Sequence, residues 1–228
     1  MILIIISALI SSVVMILLMP INIKKLNKIA IDKELNKISE KYPDNIEICK
    51  EILKKMENEK TQIEENAESD STLYIALQDK IYLGNMHGSF TRIQTIAHEC
   101  LHSIQSKKLL WFNFVFSNVY LIYFEVACVL AIFKILPCKM LFLSILMLLG
   151  FVYYAVRTYL ENDAMIKARF LAKEYMQEMK ISDQKEIDRI VDKYDELNNA
   201  GIRITNFKFL SNVLIKNIIL ALIFVTVQ

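Results

Sequence analysis

Charge is distributed unevenly along the 228-residue chain, and this distribution restricts the possible fold more than any other feature. Most of the 27 basic and 25 acidic residues fall in two segments, about 24 to 108 and 157 to 208. The remaining stretches are apolar runs of the length that crosses a hydrocarbon core of about 30 Å. We therefore expect a mainly α, integral membrane protein with polar domains between its transmembrane helices.

Four apolar runs are predicted to be transmembrane helices. Residues 1–23 form an N-terminal anchor, residues 109–156 a hairpin of two spans, and residues 209–228 a C-terminal span. The first run has no basic region before it and no small-x-small cleavage site after it, which favours a retained anchor over a signal peptide. The last run contains Lys216, so a helix lying on the membrane surface is an alternative there.

Composition argues against two classes of protein. The net charge is only +2, which does not favour a broad basic surface for nucleic acid. The four cysteines have no paired metal-ligand spacing, and two of them lie in or beside apolar runs. We therefore expect reduced, mostly packed thiols instead of a disulfide framework.

Orientation is predicted from the lysines next to the first apolar run. Lys24, Lys25 and Lys28 follow this run directly. Cytoplasmic loops carry an excess of basic residues, so segment 24–108 is expected to face the cytoplasm. The predicted location is a plasma membrane crossed several times, with the lipid bilayer as one partner of the protein.

Two of the three histidines, His98 and His102, lie four residues apart, and Glu99 follows the first of them. On a helix, residues four apart occupy one face at adjacent turns, so both imidazoles can reach a single metal ion. Glu99 projects to the side, where it can reach a water on that ion and act as general base. A lone helical histidine is usually a surface or core residue, whereas this pair favours a Zn²⁺ site. Segment 24–108 is therefore predicted to be a zincin-like domain.

A third ligand is expected where the chain returns from the membrane hairpin. Two spans joined by a short turn bring the chain back to the side it left, so residues after 156 lie on the side of His98 and His102. Catalytic zinc usually has three protein ligands and a water, and the third is often a carboxylate from another helix. Glu161 and Asp163 are candidates, and because they lie about 200° apart on a helix only one can face the metal. The other can orient a ligand histidine. Segment 157–208 is thus predicted to be helical, to carry the third ligand and to pack on 24–108.

Residues around the motif are assigned supporting roles. Residues 72–77 and 80–83 are the best strand candidates, separated by a turn at Gln78 and Asp79. An exposed strand edge can hold an extended peptide by main-chain hydrogen bonds, although the strands can equally serve only to brace the helix. The candidate substrate-binding strand residues are Leu73, Tyr74, Ile75 and Ala76. The candidates for contact with the ligand side chains are Asp163, Gln94, Gln105 and His87.

Helix boundaries are predicted from periodicity and capping patterns. Residues 29–68 are expected to form two amphipathic helices separated by Pro43, with Ile63 on the apolar face of the second. The other predicted boundaries are a helix start near Ser89 or Thr91, with Thr91 and Gln94 at capping-box spacing, another start at Asp183 with Glu186, and a helix stop at Gly201.

Two segments together resemble a known family. Residues 97–105 read Ala-His-Glu-Cys-Leu-His-Ser-Ile-Gln, and residues 161–164 read Glu-Asn-Asp-Ala after the hairpin. This arrangement resembles the membrane zinc metallopeptidases of the YugP type, which are neutral, gluzincin-like enzymes. The resemblance implies that His98, His102 and Glu161 bind zinc and that Glu99 is the catalytic base. Leu101 departs from the family glycine, and Asn162 departs from the family phenylalanine.

The expected function is hydrolysis of a peptide or membrane-protein substrate, with three alternatives. One is a catalytically inactive zincin-like membrane protein that acts in binding or regulation. Another is a membrane zincin of the HtpX or prenyl-protease type, in which an aspartate usually follows the glutamate at a longer spacing than between Glu161 and Asp163. The third is a metal transporter or sensor, which would need polar ligands along the spans, where mainly Glu125 offers one.

Overall fold

The computed structural model describes residues 23–66, 68–69, 71–86 and 88–227, together with residues 6, 9, 10 and 13. Most of the predicted anchor at residues 1–23 lies outside the described residues. The described part is mainly helical and contains one small sheet. Its elements in chain order are α1 (Ile23–Ala30), α2 (Lys33–Ser39), α3 (Asn45–Lys55), β1 (Gln62–Glu65), β2 (Leu73–Ile75), β3 (Lys80–Leu83), α4 (Arg92–Ile104), α5 (Lys107–Ile132), α6 (Lys139–Met179) and α7 (Gln184–Thr226).

Three helices in the described part of the chain, α5, α6 and α7, are long and apolar enough to cross a membrane. These helices overlap the runs predicted around 109–133, 140–156 and 209–228. Among the described residues, a membrane unit comprises Phe112–Tyr159 and the chain from Arg203 onward. Its interior is formed by buried side chains that include Tyr120, Leu146, Leu220 and Phe224.

A second, polar unit comprises Asn22–Trp111 and Leu160–Ile202. It contains α1 to α4, the sheet, the start of α5, and the charged parts of α6 and α7. Helix α4 lies in its core because one face of this helix is apolar and fully buried. The core of the polar unit includes Leu35, Ile48, Ile52, Ile81, Ile93, Ile96, Ala164, Ala168 and Ile190.

The sheet of the polar unit has the strand order β1-β3-β2. Strand β3 is central; it pairs in parallel with β1 and antiparallel with β2. Tyr74 of β2 lies opposite Ile81 of β3. Strand β2 is shorter than predicted, because Ala76 already belongs to the turn that leads to β3.

The prediction that residues 29–68 contain only helices is wrong at its end. Helix α3 ends at Lys55, and Glu57 adopts a left-handed conformation with φ of 55°. The N–H of Asn58 donates to the carbonyl of Leu53 at 2.9 Å, which closes a Schellman-type helix end. The chain then reverses, and Ile63 lies in β1 instead of on a helix face.

The other predicted helix boundaries have different outcomes. The predicted start at Thr91 is confirmed, because Thr91 is the N-cap of α4, but its side chain makes no capping bond because its own backbone is already helical; the hydroxyl of Ser89 accepts the Thr91 N–H at 3.3 Å. Gly201 lies inside α7 and does not end it. A glycine in a helix interior costs only about 1 kcal/mol relative to alanine, which burial of the surrounding apolar residues outweighs. The predicted start at Asp183 is confirmed, because its carboxylate accepts the Glu186 N–H at 2.8 Å.

Candidate metal centre

Helix α4 presents two histidines to one point. Its apolar residues, including Ile93 and Cys100, are buried in the core of the polar unit, so the opposite face carries the polar side chains. His98 and His102 lie one turn apart on that face, and their Nε2 atoms are 3.1 Å apart. Two ring nitrogens at this separation are positioned to share one bound cation.

Glu161 of α6 completes a three-donor cluster with the two histidines. Its Oε2 lies 3.7 Å from the Nε2 of His98 and 3.7 Å from the Nε2 of His102. The three donor atoms lie within 4.8 Å of one another and can hold a metal ion. Asp163, the other carboxylate considered from the sequence, pairs instead with Lys167 at 2.6 Å.

Gln105 connects the two helices that carry the donors. Its Oε1 lies 2.9 Å from the Nδ1 of His102, and its Nε2 donates to the carbonyl of Leu160 at 2.8 Å and to Asp163 at 3.3 Å. Because the amide oxygen can only accept, Nδ1 of His102 carries the proton and Nε2 is left for a metal. Gln105 therefore contacts His102 directly, whereas Asp163 contacts Gln105 and Lys167.

Glu99 lies beside the cluster in a largely buried position, with 8% of the residue exposed. Its Oε2 accepts the main-chain N–H of Tyr74 at 2.7 Å. Burial raises the pKa of Glu99 to about 7, and the hydrogen bond from Tyr74 opposes part of this increase. The carboxyl can therefore both take up and release a proton near neutral pH.

The two histidines have different proton affinities. Burial lowers the pKa of His98 to about 4, and the nearby His102 adds to this effect. Burial also works against a charged His102, but the interactions with Glu161, Glu99 and Gln105 together outweigh burial and raise its pKa. A metal ion would compete with protons for both imidazoles, because only the neutral ring is a ligand.

Strand β2 is fixed by a polar network that sequence reasoning missed. The hydroxyl of Tyr74 donates to Asp79 Oδ1 at 2.9 Å, and Thr61 donates to the same oxygen at 3.0 Å. Lys107, the first residue of α5, donates to Asp79 Oδ2 at 2.8 Å. Thr61 and Lys107 are 18 and 28 residues from Asp79, so their contacts leave no local pattern. The local signal was an aspartate in a turn, where its left-handed φ of 49° is tolerated.

The remaining predicted site residues have different environments. Gln94 is completely buried one turn before His98, and neither of its amide atoms has a hydrogen-bond partner within the described part of the chain. Leu101 is packed in the apolar core of the polar unit. His87 lies outside the described residues.

Comparison with known proteins adds no family to this description. No protein-family model, curated protein or solved structure matches the chain. The resemblance to the YugP-type metallopeptidases stays a prediction from residues 97–105 and 161–164.

Proposed function

We propose that the protein is a membrane-bound zinc metallopeptidase. The observation that carries this proposal is the cluster of His98, His102 and Glu161 with the buried carboxyl of Glu99 beside it. Tetrahedral zinc with bonds of 2.0–2.1 Å separates its donors by about 3.3 Å, close to the 3.1 and 3.7 Å measured here. Two imidazoles and one carboxylate form a typical catalytic zinc set and leave a position for water.

Glu99 is the proposed general base. A zinc ion bound at this site supplies a Lewis acid that activates water and polarises the peptide carbonyl. The Tyr74 N–H holds one oxygen of Glu99, so the other oxygen can accept the proton of the attacking water. The carboxyl then returns this proton to the leaving amine, and a pKa of about 7 suits both transfers.

Strand β2 supports a peptide as the substrate. It is an edge strand, and the N–H of Tyr74 points away from β3 toward Glu99. An extended peptide laid along this edge would place its main chain next to the base and the three donors. Leu73 and Ile75 flank Tyr74 and would lie on either side of the contact.

The proposed location is the cytoplasmic surface of the plasma membrane. Helix α5 begins shortly after His102, and the apolar run at 140–156 ends shortly before Glu161. Both halves of the site therefore lie close in sequence to a candidate span. The lysines after the first apolar run favour the cytoplasmic side.

Metal analysis and peptide hydrolysis of purified variants test this function. We expect about one zinc per chain in the wild type, from the three-ligand set. Glu99→Gln should keep the zinc but lose activity by about 100-fold or more, because only the base is removed. Glu161→Ala should lose both zinc and activity, whereas Glu174→Ala, an exposed position on the same helix, should lose neither.

Four results would contradict the proposal. Undiminished zinc in Glu161→Ala would remove this residue from the ligand set, and iron in place of zinc would point to oxygen chemistry. A Glu99→Gln protein that cleaves peptide as fast as the wild type would remove Glu99 as the base. A zinc-loaded wild type that cleaves no peptide would favour the inactive zincin-like alternative.

A further inference from the structure

The turn between β2 and β3, residues 76–79, carries a large apolar side chain at its tip. Leu77 is 63% exposed, although turn positions usually hold polar residues or glycine. Leu73, at the start of β2, is also exposed. A single exposed leucine is common on protein surfaces, so its meaning depends on what lies next to this turn.

The position of this turn is fixed relative to the start of a candidate transmembrane helix. Asp79 closes the turn, and its carboxylate pairs with Lys107 at 2.8 Å. Lys107 is the first residue of α5, whose apolar run begins with Leu109. The turn tip therefore lies beside the point at which α5 enters its apolar stretch.

The residues around that point have the character of a membrane interface. Ile104 ends α4 with its side chain exposed, and Trp111 in the first turns of α5 is 61% exposed. Tryptophan is enriched at the headgroup level, and lysines next to a span extend their charge toward the lipid surface. Lys107 and Lys108 supply that charge here. We define Leu73, Leu77, Ile104 and Trp111 as the interfacial patch.

We propose that the interfacial patch lies in the headgroup region of the membrane that α5 enters, and that the site takes polypeptide segments emerging from that membrane. The second part rests on the proposed peptidase function. Tyr74 connects the turn to the proposed base. Its hydroxyl donates to Asp79 of the turn, and its main-chain N–H donates to Glu99. Strand β2 thus runs from the lipid-facing turn to the base, and a peptide along its edge would start at the lipid surface.

Tryptophan fluorescence tests the placement of the turn without reference to catalysis. The chain has one tryptophan, so Trp111→Phe gives a variant without tryptophan fluorescence. Leu77→Trp in this background, reconstituted in phosphatidylcholine and phosphatidylglycerol vesicles, should emit at short wavelength and lose about half its intensity or more when brominated lipids are used. The matched control is Ile181→Trp, an exposed apolar position between α6 and α7, about 30 Å of helix beyond Glu161. It should be unquenched.

Two outcomes of this measurement would overturn the placement. One is a Leu77→Trp reporter that is unquenched and emits like the Ile181→Trp control. The other is short-wavelength emission that ignores brominated lipid but depends on protein concentration, which would mean that a second copy of the chain covers the patch. Leu77 is exposed, so its substitution should not disturb folding. Retained zinc content checks that each variant is folded.

Cleavage of one peptide in two forms tests the substrate class. The same sequence is supplied free in solution or attached to a transmembrane anchor in the vesicle. Leu77→Asn should lower the anchored-to-free cleavage ratio by about tenfold, because it removes one buried leucine from the membrane contact. Ile181→Asn should leave the ratio unchanged. A wild type that cleaves neither form would refute the peptidase function, whereas cleavage of both forms with an unchanged ratio would refute only this inference.

Discussion

At the scale of single residues, the sequence predicts some members of the candidate metal centre and misses others. It predicts the three donors better than the residues that position them. The spacing of His98 and His102 predicts that they face one point, since helix geometry is local. The return of the chain through a hairpin limited the third donor to Glu161 or Asp163, the family resemblance favoured Glu161, and the structure groups Glu161 with the two histidines. The contact of Tyr74 with Glu99 could not be predicted, because it joins a strand edge to a helix through a main-chain N–H.

The buried carboxyl of Glu99 should make stability depend on pH. Its pKa is near 4.5 in an unfolded chain and about 7 in the folded one, so the folded state binds an extra proton between these values. Stability from the protonated carboxyl is complete below about pH 4.5 and is lost as pH rises through 7. Glu99→Gln cannot lose a proton and should become more stable than the wild type by up to about 3 kcal/mol at pH 8.

Thermal unfolding in detergent with a chelator, from pH 4.5 to 8, measures this difference. The low pKa of His98 acts in the opposite direction, since its folded form releases a proton that the unfolded form keeps. His98 is present in both proteins and Glu99 is not among the causes of its low pKa, so its contribution cancels. Glu99 also raises the pKa of His102, so the difference reports the carboxyl together with its interaction with His102. A stability difference that does not change over this pH range would show that Glu99 is not protonated on burial.

Arg92, the first residue of α4, should be a major determinant of stability, which the sequence pattern did not predict. It is buried, and all three of its guanidinium nitrogens donate to the chain around the α2–α3 connection. The acceptors are the carbonyls of Ser39, Tyr42 and Pro43, the Oδ1 of Asn45 and the hydroxyl of Ser39. Arg92→Met would leave these acceptors buried without donors, and we expect a loss of about 3 kcal/mol or more in unfolding free energy.

Chemical denaturation of the purified protein, followed by circular dichroism, measures the Arg92→Met loss. Arg189→Met is the matched control, because Arg189 is half exposed and makes a surface ion pair with Glu34. Such pairs contribute less than about 1 kcal/mol. Equal effects of the two substitutions would show that the Arg92 hydrogen bonds add little to folding.

At the scale of elements, sequence patterns predict helices well where the apolar period is long, and less well where the chain reverses. The three candidate spans follow directly from their apolar runs. Strand β1 was missed because Ile63 has the spacing of a helix face. The chain reversal before β1 depends on Glu57 adopting a left-handed conformation, which a glutamate does not predict. The predicted stop at Gly201 was wrong because packing along α7 outweighs the helix propensity of one residue.

Gly150 should be required for close packing of α6 and α7 in the membrane unit. A Cβ at this position would lie 2.5 Å from Val213 Cγ1 and 3.1 Å from the hydroxyl of Tyr120. Valine is stiff in a helix, so relief needs a shift of the helix itself. We expect Gly150→Ala to lower stability by about 1 to 3 kcal/mol, the usual cost of overpacking.

Gly201→Ala is the control for this prediction, because its new Cβ meets only the flexible end of Met165 at 3.0 Å. It should be neutral or stabilising by up to about 1 kcal/mol, since alanine is the better helix former. Thermal unfolding of both variants in detergent gives the comparison. A Gly150→Ala protein as stable as Gly201→Ala would mean that α6 and α7 do not approach closely at Gly150.

At the scale of the whole molecule, the asymmetry of basic residues predicts which end of α5 faces the cytoplasm. Lys107 and Lys108 lie at its first end, in the same segment as the lysines after residue 23, whereas Lys134 and Lys139 flank the turn at its other end. The larger basic group favours the cytoplasm. The turn with Cys138 is then expected outside and the metal centre inside.

Labelling of intact cells with a membrane-impermeant maleimide tests this orientation with a native reporter. Cys138 is exposed, while Cys49 and Cys100 are buried in the polar unit and Cys128 lies within α5. We expect the wild type to be labelled in intact cells through Cys138, because the turn between α5 and α6 would face outward. Glu59→Cys in a Cys138→Ser background places the thiol on the exposed surface of the polar unit, and it should react only after the membrane is permeabilised. The opposite pattern would put the metal centre outside the cell and remove cytoplasmic segments from its possible substrates, while the geometry of the three donors would stand unchanged.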